Sequence, residues 1–321
     1  TAYAIEFLNG HRDADSPFCL NVCYTAPHRP WDKSEHPQET YEGYYDNCLF
    51  ESVPDAPRHP WQKGPYPESR RADLAGYFAA ITEMDKGVGE ILDWLEDSGH
   101  REDTLVIFTS DNGMNMGHHG IYGKGNGTFP VNMYDTSVKV PFLISQPGTI
   151  PEGQVNTDLL SHYDVFPTLC DYSGTTNTEA KKLPGSSFLP ALKGEGSARN
   201  GEIVVFDEYG PVRMIRNHNY KYVHRYPYGS HEFYDLRADP EESVNLINED
   251  THRDTVAAMK ATLDRWFDRY VDPSLDGAHE PVSGGGQFAL AGPAGGGKPA
   301  FSGRFREEDR VRQPKLLVTP W

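Results

Sequence analysis

The chain has 321 residues, a net charge of −17 and 37% hydrophobic residues. That is enough for a packed core, and too acidic for a nucleic-acid backbone or an anionic membrane as general partner. No apolar run approaches the roughly 18 residues of a membrane span, and the four cysteines, Cys19, Cys23, Cys48 and Cys170, form no CxxC pair or zinc spacing and read as plain buried thiols.

Residues 1–25 read as a helix end, a loop and a strand already in mid-domain. The strand, PFCLNVCYT, is closed by Ala26-Pro27-His28-Arg29-Pro30-Trp31, whose prolines disfavour helix and hold His28 extended. Residues 32–67 are rich in Pro, aromatics and charge and read as a long surface excursion. Residues 69–98 carry apolar side chains mostly three and four apart, which predicts a helix, weakened at Gly87 and Gly89 and stopped at Gly99. A β-branched strand over 104–109 follows, then a strand over 138–145 and a helix over 158–172, bent or started near Pro167. Strands alternating with helices predict a largely parallel sheet.

The texture changes after Gly194. Short runs at 203–206, 212–216, 220–226 and 232–236, with a turn over 216–220, predict a small antiparallel sheet, and a helix over 254–270 presents Val256, Met259, Leu263, Trp266 and Phe267 on one face. Three units are therefore expected: an α/β region over 1–194, an antiparallel-sheet subdomain over 195–282 and a Gly-rich tail over 283–321. Within the tail, GPAGGGK has P-loop spacing, but Pro299 replaces the required Ser or Thr and no strand precedes it.

The chemistry concentrates at the end of the 104–109 strand. Asn112-Gly113 alone is a hairpin-turn signal, but no alternating partner strand follows it. Asp111 and Asn112 offer a carboxylate and an amide oxygen, which suit a hard cation such as Ca²⁺ or Mg²⁺, though two ligands are too few. Lys124, between Gly123 and Gly125, supplies a point charge that backbone and substrate can approach closely. His28 is a rigidly held candidate anion donor or acid–base group. Of the adjacent His118 and His119, one at most is expected to face a site.

Together these segments resemble the type I, formylglycine-dependent sulfatases of the alkaline-phosphatase-like superfamily. YTAPHRPW is similar to that family's Pro-His-x-Pro segment, SDNG with GHHG and GKG to its metal- and sulfate-binding loop, HYDVFPTLCDYSG to its D-x-x-P-T-L helix, and FYDLRADPEESVNL to its late L-Y-D-L-x-x-D-P-x-E-x-x-N-L signature. The resemblance implies an α/β fold with a largely parallel sheet flanked by helices, plus a small C-terminal subdomain. It implies that Asp111 and Asn112 ligate Ca²⁺, that Lys124 and His28 contact the sulfate, that His119 lies beside the substrate, and that the partner is a sulfated small molecule or glycan met in a periplasmic or extracellular setting. The family's C/S-x-P/A-x-R nucleophile motif and its aspartate pair do not occur in the sequence. The chain is therefore expected to be the C-terminal two-thirds of a sulfatase, inactive alone. A phosphate or phosphonate ester hydrolase of the same superfamily and a non-catalytic glycan-binding remnant are the alternatives.

Overall fold

The computed structural model describes residues 1–278 except 14–15, 64–65, 179, 181, 197–200, 208–209, 227–228 and 275. The Gly-rich tail and its GPAGGGK stretch lie outside the described residues.

The chain enters through helix α1 (Ala2–His11), which packs Leu8 against Trp94 and Leu95 of the long helix α2 (Arg70–Asp97). At 28 residues α2 spans about 42 Å. Ser69 opens it by accepting the Ala72 N–H at 3.2 Å, and Gly99, at φ +74°, follows its end. Gly87 is there for contact: a Cβ on it would lie 2.3 Å from the Thr1 hydroxyl. Residues 32–67 are more than a surface excursion. Trp31, Tyr41, Phe50 and Val53 are buried against Leu74, Ala75 and Ala79 of α2, forming a core of their own.

Residues 17–25 run alongside without strand pairing. Phe18 and Leu20 turn toward α1 and α2, so the intervening positions face outward. This corrects the expectation of buried thiols: Cys19 and Cys23 are exposed, Cys48 is half-buried and only Cys170 is buried, all four free. The strand over 104–109 is realised as β1 (Val106–Thr109).

Beyond it come the two-residue strands β2 (Asn115–Met116) and β3 (Tyr122–Gly123), and then β4 (Phe142–Ser145). β1 and β4 pair antiparallel, with Val106 opposite Ser145 and Thr109 opposite Phe142. All pairing among the described strands is antiparallel, contrary to the expected parallel sheet in this region. The connection fits this: the only α-helix described between β1 and β4 is the four-residue Asp135–Val138, too short to carry the chain back along the sheet as a parallel crossover does.

The helix expected over 158–172 is shorter, α3 (Val165–Ser173). Ser161 and Asp164 form a capping box around the turn before it, and Pro167 falls in the first turn of α3, where a missing N–H costs nothing.

Strands β5 (Ile203–Phe206), β6 (Val212–Arg216), β7 (Tyr220–Arg225) and β8 (Glu232–Asp235) form an antiparallel meander. Asn217 makes its 216–220 turn by accepting the N–H groups of Asn219 and Tyr220, both at 2.8 Å. Helix α4 (Arg253–Tyr270) covers one face with Met259, Leu263 and Phe267 against Val204, Ile215, Tyr222 and Phe233. The other face carries Val212, Met214 and Val223, and receives Val131, Met133 and Val138 from the segment before β4.

Candidate active site

β1 delivers Ser110, Asp111 and Asn112 to one end of the sheet. The Ser110 hydroxyl donates to the Asn112 carbonyl at 2.9 Å, and the Asn112 amide donates to Asp111 Oδ1 at 2.8 Å. These bonds hold the pair together and leave Asp111 Oδ2 and the Asn112 side-chain oxygen as donors for a cation. Oxygen donors fit a hard ion, but two fall short of the 6–8 that Ca²⁺ takes, and no cluster of three or more His, Cys, Asp or Glu suited to a metal occurs among the described residues.

Gly113 binds this end to the rest of the site. Its N–H donates to the Ser137 carbonyl at 2.9 Å, and a Cβ there would lie 2.3 Å from the Thr136 carbonyl oxygen. A larger residue would force the Asp111–Asn112 end away from residues 136–137.

The β2–β3 hairpin carries both the histidines and Lys124. Asn115 sits opposite Gly123, and its buried amide donates to the Gly123 carbonyl at 3.0 Å and to the Ser137 hydroxyl at 2.7 Å. Between the strands, His119 takes the left-handed conformation at φ 55°, uncommon for a residue with a side chain. His119 is stacked on Tyr134, with centroids 3.8 Å apart and rings 9° from parallel. Burial, reinforced by His118, His59 and Lys221, lowers its pKa to about 4, so it is neutral at physiological pH. Of the two adjacent histidines, it is His119 that the Tyr134 ring orients; His118 leaves Nδ1 buried without a partner.

Lys124 is half-buried, and none of the hydrogen bonds or ion pairs among the described residues engages its amine. Its backbone, by contrast, is held tightly. The Asn132 amide reaches the Lys124 carbonyl at 3.4 Å, the Gly125 carbonyl at 3.0 Å and the Thr128 hydroxyl at 3.1 Å.

Asp111, Asn112, His119 and Lys124 thus share one scaffold, joined through Gly113, Asn115 and Ser137. Among the described residues, no hydrogen bond, ion pair or ring contact ties His28 to it. It is exposed, and its Nδ1 lies 3.1 Å from the Arg29 carbonyl oxygen within its own loop, while Arg29 pairs with Asp73 at 2.7 Å and covers the Trp31 ring.

One neighbour of the site escaped sequence reasoning. His59 accepts the Trp61 N–H at Nδ1, 3.1 Å away, which puts its proton on Nε2, 3.5 Å from the Tyr134 hydroxyl. Its peptide N–H donates to the Gly120 carbonyl at 3.0 Å, pinning the 54–62 segment onto the histidine turn. The signal was present: Arg58-His59-Pro60-Trp61 repeats the composition of His28-Arg29-Pro30-Trp31.

The sulfatase family model matches residues 1–175. The chain belongs to the sulfatase family. A model of the C-terminal part of N-sulphoglucosamine sulphohydrolase matches residues 117–268, so it takes in His118, His119 and Lys124 as well as the four-stranded sheet. Choline-sulfatase of Rhizobium meliloti (strain 1021) is 31% identical over 259 residues, covering 74% of this chain and 48% of that protein. Among solved structures, a Bacteroides fragilis chain assigned as the sulfatase yidJ has a TM-score of 0.70 at 24% identity, over 85% of this chain and 58% of that one. The phosphonate monoester hydrolase of Agrobacterium radiobacter has a TM-score of 0.61 at 24% identity, over 85% and 61%. These two likenesses establish the alkaline-phosphatase-like fold. The chain spans about half the length of the curated relatives it matches. Among the described residues, no helix is long and apolar enough to cross a membrane.

Proposed function

We propose that the protein hydrolyses sulfate esters, and that these residues form the anion-binding and leaving-group side of the site. The observation that carries this reading is Lys124, a cation whose amine has no partner among the described residues, on a loop whose Lys124 and Gly125 carbonyls both accept the Asn132 amide. A lysine positioned in this way stabilises charge developing on sulfuryl oxygens and on the departing alkoxide, because the site need not reorganise when the charge appears. Asp111 and Asn112 would hold Ca²⁺, which supplies Lewis-acid stabilisation of the same oxygens when bound. His119, neutral and oriented by Tyr134, donates to or accepts from the substrate rather than adding charge. His28 reaches the sulfate from its own loop. The nucleophile and the remaining metal ligands would come from chain outside these 321 residues, so that this chain alone turns over negligibly. The match to a sulphoglucosamine sulphohydrolase model supports a carbohydrate sulfate as substrate.

The phosphonate hydrolase fold likeness motivates a second reading, phosphonate or phosphate monoester hydrolysis, since metal and lysine serve either anion. The test compares 4-nitrophenyl sulfate with 4-nitrophenyl phenylphosphonate on the full natural protein. Sulfate hydrolysis should dominate, and Lys124→Ala should lower kcat/KM by roughly 10²–10³-fold. Faster phosphonate turnover would favour the second reading, and an inert lysine would remove the first.

A further inference from the structure

Residues 131–134 run outside helix and strand between the four-stranded sheet and the candidate site, Asp135 opens a short helix (Asp135–Val138), and the side chains of this 131–135 strap alternate between the two. Val131 and Met133 bury their side chains on Val212, Met214 and Val223, and Asp135 pairs with Lys221 and Arg216. The backbone of the same positions is gripped from the sheet: Arg225 donates to the Val131 carbonyl at 3.0 Å, and Lys221 to the Met133 carbonyl at 3.0 Å.

The even positions face the other way. Asn132, 1% exposed, bonds the carbonyls of Lys124 and Gly125 and the Thr128 hydroxyl, and its own side-chain oxygen accepts the Ser137 hydroxyl at 2.6 Å. Its peptide N–H adds a bond to the Gly125 carbonyl at 3.0 Å. Tyr134 lies flat on His119 and meets Tyr234 of β8 at a tilt, 6.2 Å between centroids.

We infer that Asn132 and Tyr134 are positioning residues, Asn132 for the Lys124 amine and Tyr134 for the His119 ring, and that the C-terminal sheet sets the geometry of the site through this strap. The inference rests on the reading of Lys124 and His119 as substrate-facing groups. Neither Asn132 nor Tyr134 needs to touch substrate. Asn132 fixes where the lysine stem leaves the backbone; Tyr134 fixes the plane of an imidazole on a backbone conformation that is otherwise unfavourable. The buried cations Lys221 and Arg225 act one step further out, by holding the strap.

A double-mutant cycle on the full natural protein separates positioning from general stability. Asn132→Ala should lower kcat/KM for 4-nitrophenyl sulfate by about 10²-fold, the order expected when a reacting group is displaced by about 1 Å. In a Lys124→Ala background the same substitution should change kcat/KM by no more than about twofold, because its effect is already lost. Tyr134→Leu should behave likewise against His119→Ala. A loss from Asn132→Ala that multiplies undiminished with Lys124→Ala would overturn the inference, because it would then act through overall stability.

Amide exchange followed by mass spectrometry provides the readout that needs no turnover. Asn132→Ala should speed exchange in peptides covering 123–128 by about tenfold, the loss of one net hydrogen bond, and leave those covering α4 unchanged. Unchanged exchange at 123–128 refutes the strap. If the unmodified protein cleaves no sulfate ester, the proposed function fails, and exchange alone decides the strap. Should Asn132→Ala not fold, Asn132→Ser keeps one donor and should show the same pattern in smaller degree.

Discussion

Replacing Lys221 by Met is the sharpest available test of how the C-terminal sheet is joined to the site. Lys221 is fully buried and pairs with both Asp135 and Glu242. The two carboxylates respond differently. Burial pushes Asp135 up, but Lys221 and Arg216 more than offset it and hold the carboxyl below its usual range. Burial also pushes Glu242 up, and Lys221 alone, opposed by the neighbouring Asp135, does not bring it back. Removing Lys221 therefore leaves Asp135 with Arg216 and strands Glu242, which keeps only the Asp135 peptide N–H, at 2.6 Å.

The variant can escape by protonating Glu242. Starting from an ordinary value of 4.5, this costs about 3 kcal/mol at pH 7 and about 0.7 kcal/mol at pH 5. The lost bond to the Met133 carbonyl adds about 1 kcal/mol at either pH. Because Glu242 is already raised with Lys221 present, these sums are upper bounds: the expected loss is at most about 4 kcal/mol at pH 7, on the scale of the roughly 3–5 kcal/mol for a broken buried pair, and at most about 2 kcal/mol at pH 5. The sign follows from linkage: a carboxyl raised in the folded state contributes stability below its unfolded value and loses it as pH rises. Urea unfolding followed by tryptophan fluorescence at both pH values measures this. A loss under about 1 kcal/mol at pH 7, or an equal loss at both pH values, would refute the argument. Adding Glu242→Gln to the variant should recover about 2 kcal/mol at pH 7, since the amide needs no proton.

Other outcomes follow from single features. Gly113→Ala places a Cβ 2.3 Å from a backbone oxygen and should lower both melting temperature and activity, whereas Gly89→Ala, with nothing within 4 Å inside α2, should stabilise by about 0.5–1 kcal/mol in thermal unfolding. Calorimetric titration of the 321-residue chain with Ca²⁺ should show weak binding, on the order of millimolar or above, abolished by Asp111→Ala; submicromolar affinity would mean that further ligands lie within the chain. His224 and His231 stack with centroids 4.2 Å apart, and burial lowers them to about 3 and about 4. Both depressed values mean stability present above about pH 6.5 and lost as pH falls toward 4, with a slope of up to about 3 kcal/mol per pH unit that His231→Phe should flatten.

The parts of this molecule that were legible in its sequence are those built from local pattern. Helix α2 is written in three- and four-residue spacing, the four-stranded meander in short β-branched and aromatic runs, and Asp111, Asn112, His119 and Lys124 in one short stretch that does fold onto a common scaffold. Long-range pairings were not legible. Nothing local in Val131-Asn132-Met133-Tyr134 tells that alternate residues face different partners, because the partners lie 94 residues on at Arg225 and 75 residues back at His59. The late DPEESVNL segment is a similar case. Its Glu242 meets Lys221 and the Asp135 N–H, and its Asn245 accepts the Phe233 N–H at 3.0 Å, so the motif joins sheet to strap. Residues 32–67 misled because their aromatics lack periodicity, yet they bury against α2.

The alternation of residues 131–135 has a consequence for how such a protein can change. Substitutions in the strap can be made one side at a time, but a single inserted or deleted residue exchanges the sides. It would send Asn132 toward Val212 and Met214 and turn an apolar side chain onto the Lys124 loop, in the way a one-residue slip inverts a strand. Length variation is therefore forbidden within these five positions, which makes the strap a fixed ruler between two parts of the molecule that are otherwise free to diverge.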